Sequence, residues 1–452
     1  MKKNNILIIA ALLQIQIVNA QWNERSSDFT AQRGIIDMAA PDSRNCYGVA
    51  YDAANFNNYL HEITVTHNGG HTWHAHTVDS LQDNWLLGIA APSANTVHVI
   101  GWNFVNGGGN VFRSTDGGNT WEREAAGAFT DPASFPDNIV FFNARNGVIF
   151  GDPTNGSFEI YTTHNGGHSW SRVSATNIPA PLTNEYGLSF AADKYGNTMW
   201  AVTVIFNNDG TTSTRLLQTD DKGASWYVRS TALPLATFDV SIKFRNHSVG
   251  LYKNNGLLYR TTNGGTDWSQ VNYSGTFFNF DFDNVPGLPG TWVSTGGDIN
   301  LPTNSQNGIG SSVSFDDGDH WFTIDTAVNH TCVEMKSPFY GYTGGITSGS
   351  GNDGVFVYSF LGLKNAAAIA ATNARTALTV YPNPSNQSFS LTLTAQEEIA
   401  QIRVYNMEGK LIMDQPFNPA EAFTFGNDFL PGLYQAEIYS GNEKHAVRII
   451  KE

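Results

Sequence analysis

Four histidines lie close together in the stretch THNGGHTWHAH, which covers residues 66–76. They are His67, His71, His74 and His76. Imidazole nitrogens are common zinc ligands, so such a cluster suggests a metal site. His74 and His76 alternate along a predicted strand and therefore share one face. These two residues are the main argument for a metal at the surface.

The same stretch also belongs to a repeat, which favours a structural interpretation. THNGGHSW follows at 163–170. Four related octets lie at 114–121, 219–226, 261–268 and 314–321. The shared pattern is Ser/Thr-x-Asp/Asn-x-Gly-x-x-Trp, and His67 and His71 occupy its variable positions. Because other octets carry Thr, Asn, Asp or Ala there, we expect no metal at these positions.

Each octet predicts a tight turn between two strands. The Asp or Asn side chain accepts backbone N–H groups, Gly allows a positive φ, and the Trp packs back as an apolar plug. The residues expected to fill this turn role are Asn68, Asp116, Asn165, Asp221, Asn263 and Asp316.

The octets resemble the Asp-box, or bacterial neuraminidase repeat, and their style is similar to that of photosystem II assembly-factor and sortilin-like propellers. A period of about fifty residues is typical of one four-stranded unit per repeat. A seventh copy without an octet lies at 339–345 and is followed by a strand at 354–360. The sequence therefore predicts an all-β, seven-bladed β-propeller over residues 21–362.

The last unit lacks a fourth strand in sequence. We expect the N-terminal segment around residues 28–33 to supply it, since ring closure removes exposed sheet edges. Closure would bring Cys332, on the innermost strand of the last blade, next to Cys46 of the first. The export route is oxidising, so these two cysteines are candidates for a disulfide, with two buried free thiols as the alternative.

The first twenty residues have the pattern of a signal peptide, with Lys2 and Lys3 before a short apolar run and Val18-Asn19-Ala20 at its end. The run is too short to cross a bilayer, and no later stretch is long enough. The formal charge of −15 disfavours nucleic acid as a partner. We therefore expect an exported chain that does not span the membrane.

An Ala-rich segment, 363–376, predicts a linker, and the strand-like residues 377–452 predict a small β-sandwich. This tail resembles the type A C-terminal sorting domain of type IX secretion substrates. The matching pieces are Tyr381-Pro382-Asn383-Pro384, Gly409-Lys410-Leu411, Pro431-Gly432-Leu433-Tyr434 and Arg448-Ile449-Ile450-Lys451. The resemblance implies contact with the type IX machinery, translocation across the outer membrane and removal of the tail. It also implies release or attachment to surface lipopolysaccharide.

Binding residues are expected in loops on the face opposite the octets, because loops on a rigid scaffold commonly carry function. The candidates are Arg33, Trp102, Asp152, Glu185, Tyr186, Asp298 and His330. Asp137, Asp152 and Glu185 are candidates for acid–base catalysis, and such carboxylates also suit Ca²⁺. The alternative is that these carboxylates cap turns.

Sialidase activity is the first enzymatic alternative, but the resemblance is confined to the repeats. Sialidases use three arginines around a carboxylate and an Arg-Ile-Pro motif, which is absent here. Arg113, Arg215 and Arg260 precede octets, so we expect them to point away from the binding face.

The sequence favours a surface recognition module for a glycan or a protein. Trp102, Phe104 and Tyr186 would stack on sugar rings in that case. A glycan-cleaving hydrolase and an assembly or adhesion scaffold are the alternatives. No resident cofactor is expected apart from the Ca²⁺ alternative.

Overall fold

The chain divides into two compact units in a computed structural model. One unit is Gln21–Ser359, and the described residues from 378 onward belong to the other. The described residues are 21–124, 127–231, 233, 240–254, 256–297, 308–338, 340–348, 353–359, 378–393, 400–406, 410–418, 422–440 and 443–452. The predicted signal peptide, the predicted linker and Asp298 lie outside these residues. Within them, no helix is long and apolar enough to cross a membrane.

The first unit is built from strands with two short 3-10 turns, Asp79–Leu81 and Ala175–Asn177. In chain order the strands are β1 (Gln21–Ser26), β2 (Arg33–Ala39), β3 (Cys46–Asp52), β4 (Glu62–Thr66), β5 (His74–Thr77), β6 (Asn84–Ala90), β7 (Val97–Asn103), β8 (Gly109–Ser114), β9 (Glu122–Arg123), β10 (Pro136–Phe141), β11 (Gly147–Thr154), β12 (Ser157–Thr163), β13 (Ser171–Arg172), β14 (Glu185–Tyr195), β15 (Thr198–Phe206), β16 (Thr212–Thr219), β17 (Tyr227–Ser230), β18 (Val240–Phe244), β19 (Gly250–Asn254), β20 (Leu257–Thr261), β21 (Ser269–Gln270), β22 (Ser274–Gly275), β23 (Asp281–Asn284), β24 (Trp292–Gly296), β25 (Gly310–Ser314), β26 (His320–Asp325), β27 (Cys332–Ser337), β28 (Tyr340–Gly344) and β29 (Gly354–Ser359).

These strands form seven sheets within the described part of the unit, which we call blades 1 to 7. Blades 1 to 6 use consecutive strands, namely β2–β5, β6–β9, β10–β13, β14–β17, β18–β21 and β23–β26. In blade 6, β22 adds a short parallel pairing to β26. Blade 7 consists of β27, β28, β29 and β1. The first strands of successive blades contact one another, and β27 contacts β2, so the ring is closed.

Local sequence explains these hairpins. Asn155 and Gly156 join β11 to β12, and both have positive φ (52° and 80°). Two such residues form the two-residue turn that matches the twist of paired strands. Strands such as β3 and β19 are buried at every position, because each blade packs against a neighbour on both faces.

Ring closure occurs through an N-terminal strand, but not through the predicted residues. β1 pairs with β29 from Gln21 opposite Ser359 to Ser26 opposite Gly354. The predicted bounds, 28–33, are wrong because Asp28 adopts a left-handed conformation (φ 66°) and turns the chain toward β2, which already begins at Arg33.

The six octets connect the third and fourth strands of blades 1 to 6 through one set of hydrogen bonds. In blade 2, Ser114 Oγ donates to Asp116 Oδ1 (2.8 Å) and accepts from Gly118 N (2.8 Å). Asp116 Oδ1 also accepts from Thr120 N (2.9 Å). The same three bonds occur in the octets of Asn68, Asn165, Asp221, Asn263 and Asp316.

Of the two alternatives for the cysteines, the structure has the free thiols, since Cys46 and Cys332 are both unbonded and buried. They share an apolar cluster, and burial raises the pKa of both thiols well above the ordinary value.

The second unit contains two sheets around one apolar core that includes Phe389, Ile402, Val404 and Ile438. Its strands are β30 (Leu378–Tyr381), β31 (Phe389–Leu393), β32 (Ala400–Asn406), β33 (Leu411–Phe417), β34 (Phe423–Phe425), β35 (Gly432–Ser440) and β36 (Glu443–Lys451). One sheet has the order β30-β31-β34 and the other β33-β32-β35-β36. This is the two-sheet arrangement that the alternating sequence pattern predicts.

Candidate functional site

A cavity of about 660 Å³ occupies the centre of the ring and is lined by the first strands of all seven blades. Its wall contains six carboxylates, which are Asp37, Asp137, Asp193, Asp281, Asp283 and Glu334. Lys243 projects among them. Lys194 and Lys336 also line the cavity, so its wall carries charged groups of both signs.

Most of these aspartates tie one blade to the next. Asp37 accepts from the backbone N–H of Ile89 (3.0 Å), and Asp281 and Asp283 accept from two amides of β27 (3.0 and 2.8 Å). Asp193 accepts from the N–H of Phe244 in the same way. Each bond links the first strand of one blade to that of the following blade, so this group has a structural role.

Burial strongly changes the pKa values of these cavity carboxyls. It raises the pKa of Asp37 to about 7 and, with the negative charge of Glu334, raises that of Asp283 to about 8. Burial opposes the charge of Lys243, but Asp283, Asp281 and Asp193 outweigh it and raise the pKa of the amine. The surrounding carboxylates therefore favour the charged form of Lys243.

Asp137 and Asp152 form a carboxyl pair at blade 3. Ser189 Oγ donates to Asp137 (3.1 Å), and the N–H of Gly187 donates to Asp152 (2.8 Å). Burial and the neighbouring charge of Asp152 raise the pKa of Asp137 well above its ordinary value, while burial raises the pKa of Asp152 to about 6. Asp137 Oδ2 is buried and has no hydrogen-bond partner among the described residues, which also favours the protonated form of this carboxyl.

Glu185 is buried, and its carboxylate is paired with the guanidinium of Arg215. Arg215 binds both of its carboxylate oxygens, one through Nε at 2.8 Å. Thr203 Oγ1 (2.6 Å) and the N–H of Leu182 (2.7 Å) also donate to Glu185. The expectation that Arg215 points away from the binding face is therefore wrong, because it reaches the start of β14. Arg260 does lie at the octet side, where it contacts Asp319 (3.0 Å).

Two further candidates are engaged within the protein. Arg33 binds both carboxylate oxygens of Glu62 at 2.8 Å. His330 is completely buried, with its ring nitrogens 2.7 Å from Thr343 Oγ1 and 3.2 Å from Asp325 Oδ2. The guanidinium of Arg33 and both ring nitrogens of His330 are therefore already engaged by protein partners. The fold brings neither of them to the Asp137–Asp152 pair.

An aromatic surface forms at the end of blades 2 and 3 opposite the octets. We define it as Tyr59, Trp85, Trp102, Phe104 and Phe135. Tyr59 stacks on Trp85 (5.1 Å between ring centroids) and contacts Phe104 (5.2 Å), while Phe135 contacts both tryptophans (6.2 and 6.0 Å). The tryptophans are paired across β6 and β7.

All five rings retain exposed area, and Phe104 is 39% exposed. Phe56, in the same β3–β4 loop as Tyr59, is 43% exposed, contacts Tyr51 (5.2 Å between ring centroids) and lines the central cavity. Sequence reasoning found Trp102 and Phe104 but missed the other three members. Trp85 lies at the start of β6, Phe135 directly precedes β10, and Tyr59 lies in the β3–β4 loop. These positions are the sequence signal that could have placed them at the same end of the propeller as Trp102.

A second exposed aromatic pair lies on blade 4, where Tyr186 contacts Phe206 (5.9 Å) and both are 42% exposed. Nearby, β14 bulges between Gly187 and Ala192, and Phe190 adopts a left-handed conformation (φ 61°). A bulky residue there is strained, and the bulge turns its ring into the cavity.

The histidine-rich octet does not assemble a metal site among the described residues, where no group of three or more His, Cys, Asp or Glu side chains could hold an ion. His67 Nδ1 lies 2.7 Å from Asn45 Oδ1, and His71 Nδ1 lies 2.7 Å from the carbonyl of Asn68. His74 is exposed beside Asp28, at 3.9 Å. These contacts order the turn and its edge strand.

Comparison with known proteins identifies the tail and the fold. Residues 379–452 match the family described as "Secretion system C-terminal sorting domain". The structure resembles YCF48 from Cyanidioschyzon merolae, with 15% identity, a TM-score of 0.51, and coverage of 75% of this chain and 99% of that one. No curated protein matches the chain.

Two further solved structures are similar at lower scores. YCF48 bound to D1 peptide has 15% identity and a TM-score of 0.49, covering 75% of this chain and 96% of that one. A Trypanosoma rangeli sialidase in complex with 2,3-difluorosialic acid has 11% identity and a TM-score of 0.41, covering 93% and 84%. At such identities the likeness concerns the fold alone.

The expected propeller fold and sorting tail are thus confirmed. The tail indicates export by type IX secretion to the cell surface or the medium.

Proposed function

We propose that the exported propeller is a recognition module that binds a glycan through its aromatic surface. The observation that carries this proposal is the cluster of five partly exposed rings, which joins the β3–β4 loop to blades 2 and 3. Aromatic rings offer a large apolar area at low entropic cost, and Tyr and Trp also carry a polar edge. The low charge of this cluster suits a ligand rich in hydroxyl groups.

The carboxylates support binding rather than glycoside hydrolysis. Hydrolases of the retaining and inverting kinds hold their two carboxyl groups about 5 Å and about 6.5–9.5 Å apart, respectively. Asp137 is only 2% exposed, and burial and the charge of Asp152 favour its protonated form, so its carboxyl is not presented to a polysaccharide at the surface. Glu185 accepts two hydrogen bonds from Arg215 and one each from Thr203 Oγ1 and the N–H of Leu182, so its carboxylate is fully engaged within the protein.

A binding and release experiment tests this proposal. The secreted chain is incubated with immobilised algal and host polysaccharides and sialylated glycoproteins, and both retention and released sugars are measured. We expect retention on at least one glycan, loss of retention in Trp102→Ala and Phe104→Ala, and no released sugar. Phe322→Ala is the matched control, because Phe322 is 46% exposed on blade 6, after its octet.

Other outcomes would redirect the proposal. Release of sugar would favour a hydrolase, and loss of that release in Asp137→Asn would assign the carboxyl pair to it. Retention of no glycan, together with capture of one surface protein that depends on Trp102, would favour a protein ligand. If binding to a glycan is retained in both aromatic variants, the aromatic surface is not the site.

A further inference from the structure

The blade 4 pair, which is Tyr186 and Phe206, lies at the same end of the propeller as the aromatic surface. Tyr186 is the second residue of β14, and Phe206 is the last residue of β15. Trp85 and Trp102 have corresponding positions near the start of β6 and the end of β7. Because the first and third strands of a blade run in the same direction, these positions are opposite the octets, which follow the third strands. Both groups of rings are therefore at one end of the propeller.

Asp152 connects the two groups of rings through blade 3. Its N–H donates to the carbonyl of Phe135, a member of the aromatic surface (2.9 Å). Its Oδ1 accepts from the N–H of Gly187, the residue after Tyr186 (2.8 Å). Only a few covalent bonds separate the nitrogen of an aspartate from its carboxylate, so the carbonyl of Phe135 and the N–H of Gly187 are at most about 10 Å apart. Phe135 and Tyr186 are therefore anchored at neighbouring points of this end of the ring.

The backbone that carries the blade 4 pair is fixed by polar contacts. Glu185, directly before Tyr186, is buried and accepts from Arg215 Nε (2.8 Å). The N–H of Phe206 donates to the carbonyl of Asn184 (3.0 Å). A surface whose backbone is already ordered loses less conformational entropy when it binds a ligand. The buried Glu185–Arg215 pair thus supports an exposed contact directly above it in the chain.

The segments that carry these rings contain acidic residues but no lysine or arginine. They are 53–61, 78–85, 102–109, 127–136, 152–156, 180–187 and 206–212. Asp83 is exposed, and its carbonyl accepts from the N–H of Phe104 (3.1 Å), while Asp209 is exposed in the β15–β16 hairpin. Arg172, on the outer strand β13, is paired with Glu159 (3.4 Å). Sulfate or carboxylate groups of a ligand would therefore be repelled at this end.

Amide side chains are the other common feature of these segments. Asn57, Asn106, Asn155 and Asn208 are all exposed. An amide both donates and accepts hydrogen bonds, so it suits sugar hydroxyl groups without attracting a charged ligand. Aromatic rings for the apolar faces of sugars and amides for their hydroxyl groups together favour neutral sugars.

We infer that this end of the propeller binds one extended chain of a neutral polysaccharide, which lies across blades 2 to 4 from the aromatic surface to the blade 4 pair. The inference rests on the proposed glycan recognition and specifies the class of glycan. A chain that reaches both groups of rings gains the second contact as an intramolecular event, so its affinity exceeds that of a fragment bound to one group. A single terminal sugar would contact only one of the two groups.

The test uses the length and charge of the glycan as its variables. The secreted chain is titrated by calorimetry with the neutral polysaccharides laminarin, mannan and amylose and with the acidic polysaccharides alginate and carrageenan. The neutral polysaccharide that binds best then supplies a disaccharide and an octasaccharide. We expect a neutral polysaccharide to bind best and the octasaccharide to bind more tightly than the disaccharide. Tyr186→Ala should weaken octasaccharide binding roughly tenfold or more and leave disaccharide binding unchanged, because only the longer chain reaches both groups.

Tyr195→Ala is the matched control. Tyr195 belongs to β14, as Tyr186 does, and is 41% exposed, but it lies at the octet end of the strand, where it contacts His247 (5.0 Å between ring centroids). We expect this variant to bind both oligosaccharides as the wild type does. Both tyrosine variants should also keep the wild-type melting temperature, because the substituted rings are exposed.

Each of the following results would overturn the inference. Binding of no neutral polysaccharide, or tighter binding of alginate or carrageenan, would contradict the neutral class of ligand. Equal octasaccharide affinities of the wild type and Tyr186→Ala, or an equal loss for both lengths, would show that no chain spans the two groups of rings. The proposed glycan recognition is judged separately, since it requires Trp102→Ala to weaken binding of both lengths whatever Tyr186→Ala does.

Discussion

Replacing Asp152 with asparagine should stabilise the protein at neutral pH. Burial raises the pKa of Asp152 from 3.8 to about 6, so the folded state favours the protonated carboxyl. The stability that the protonated Asp152 contributes is therefore fully present below pH 3.8 and is lost as the pH rises through 6. At about 1.36 kcal/mol per pH unit, this difference corresponds to a loss of about 3 kcal/mol at pH 7.

The substituted amide would retain an oxygen for the N–H of Gly187 and add a donor for Asp137, without a buried charge. We expect Asp152→Asn to exceed the wild type by about 2–3 kcal/mol in free energy of unfolding at about pH 7.5 and to match it at about pH 3.5. The assay is urea unfolding, followed by tryptophan fluorescence at a series of pH values.

Asp52 provides a control of opposite sign. Burial opposes the charge of Asp52, but hydrogen bonds from Asn58, Asn55 and Ala54 lower the pKa of its carboxyl. The ionised Asp52 therefore contributes stability that is present above the pKa of the unfolded chain and is lost in acid. Asp52→Asn should therefore destabilise the protein at about pH 7.5. The reasoning is refuted if Asp152→Asn is less stable than the wild type at that pH, or if its advantage does not vary with pH.

Three other substitutions test the internal contacts of the propeller. Glu185→Gln leaves the buried Arg215 without its carboxylate, and we expect the free energy of unfolding, measured in urea, to fall by about 3–5 kcal/mol. A fall below about 1 kcal/mol would show that the Glu185–Arg215 pair does not stabilise the fold. Burial lowers the pKa of His98 from 6.5 to about 3, so the stability that neutral His98 contributes is present above pH 6.5 and is lost in acid. His98→Leu should therefore reduce the fall in melting temperature between about pH 6.5 and about pH 4. The same fall in the wild type and the variant would refute this. A Cβ on residue 187 would lie 2.1 Å from Asp137 Oδ2, so Gly187→Ala should lower the melting temperature, and an unchanged melting temperature would contradict the close approach.

The blades were predictable because each octet carries its own hydrogen-bond donors and acceptors. Ser114, Asp116 and Gly118 satisfy one another within five residues, so the turn depends on local sequence alone. The sorting tail was recognisable for the same reason, since its motifs keep fixed residue types at short spacing. Contacts of this range leave a pattern in a single sequence.

The state of the candidate site was not predictable, because it depends on residues far apart in the chain. Glu185 is paired with Arg215, and Arg33 with Glu62, by side chains from different strands. A sequence shows that these charges exist but not that they neutralise each other. The aromatic surface was missed in part because it joins a loop of blade 1 to the first and second strands of blade 2.

The central claim is that the aromatic surface of blades 2 and 3 binds a glycan. The most direct measurement is the calorimetric affinity of the secreted chain for the glycan that it retains best, compared among the wild type, Trp102→Ala and Phe322→Ala. We predict that Trp102→Ala weakens binding by roughly tenfold or more, about 1.4 kcal/mol, and that Phe322→Ala has no effect. Equal affinities for the wild type and Trp102→Ala would contradict the account.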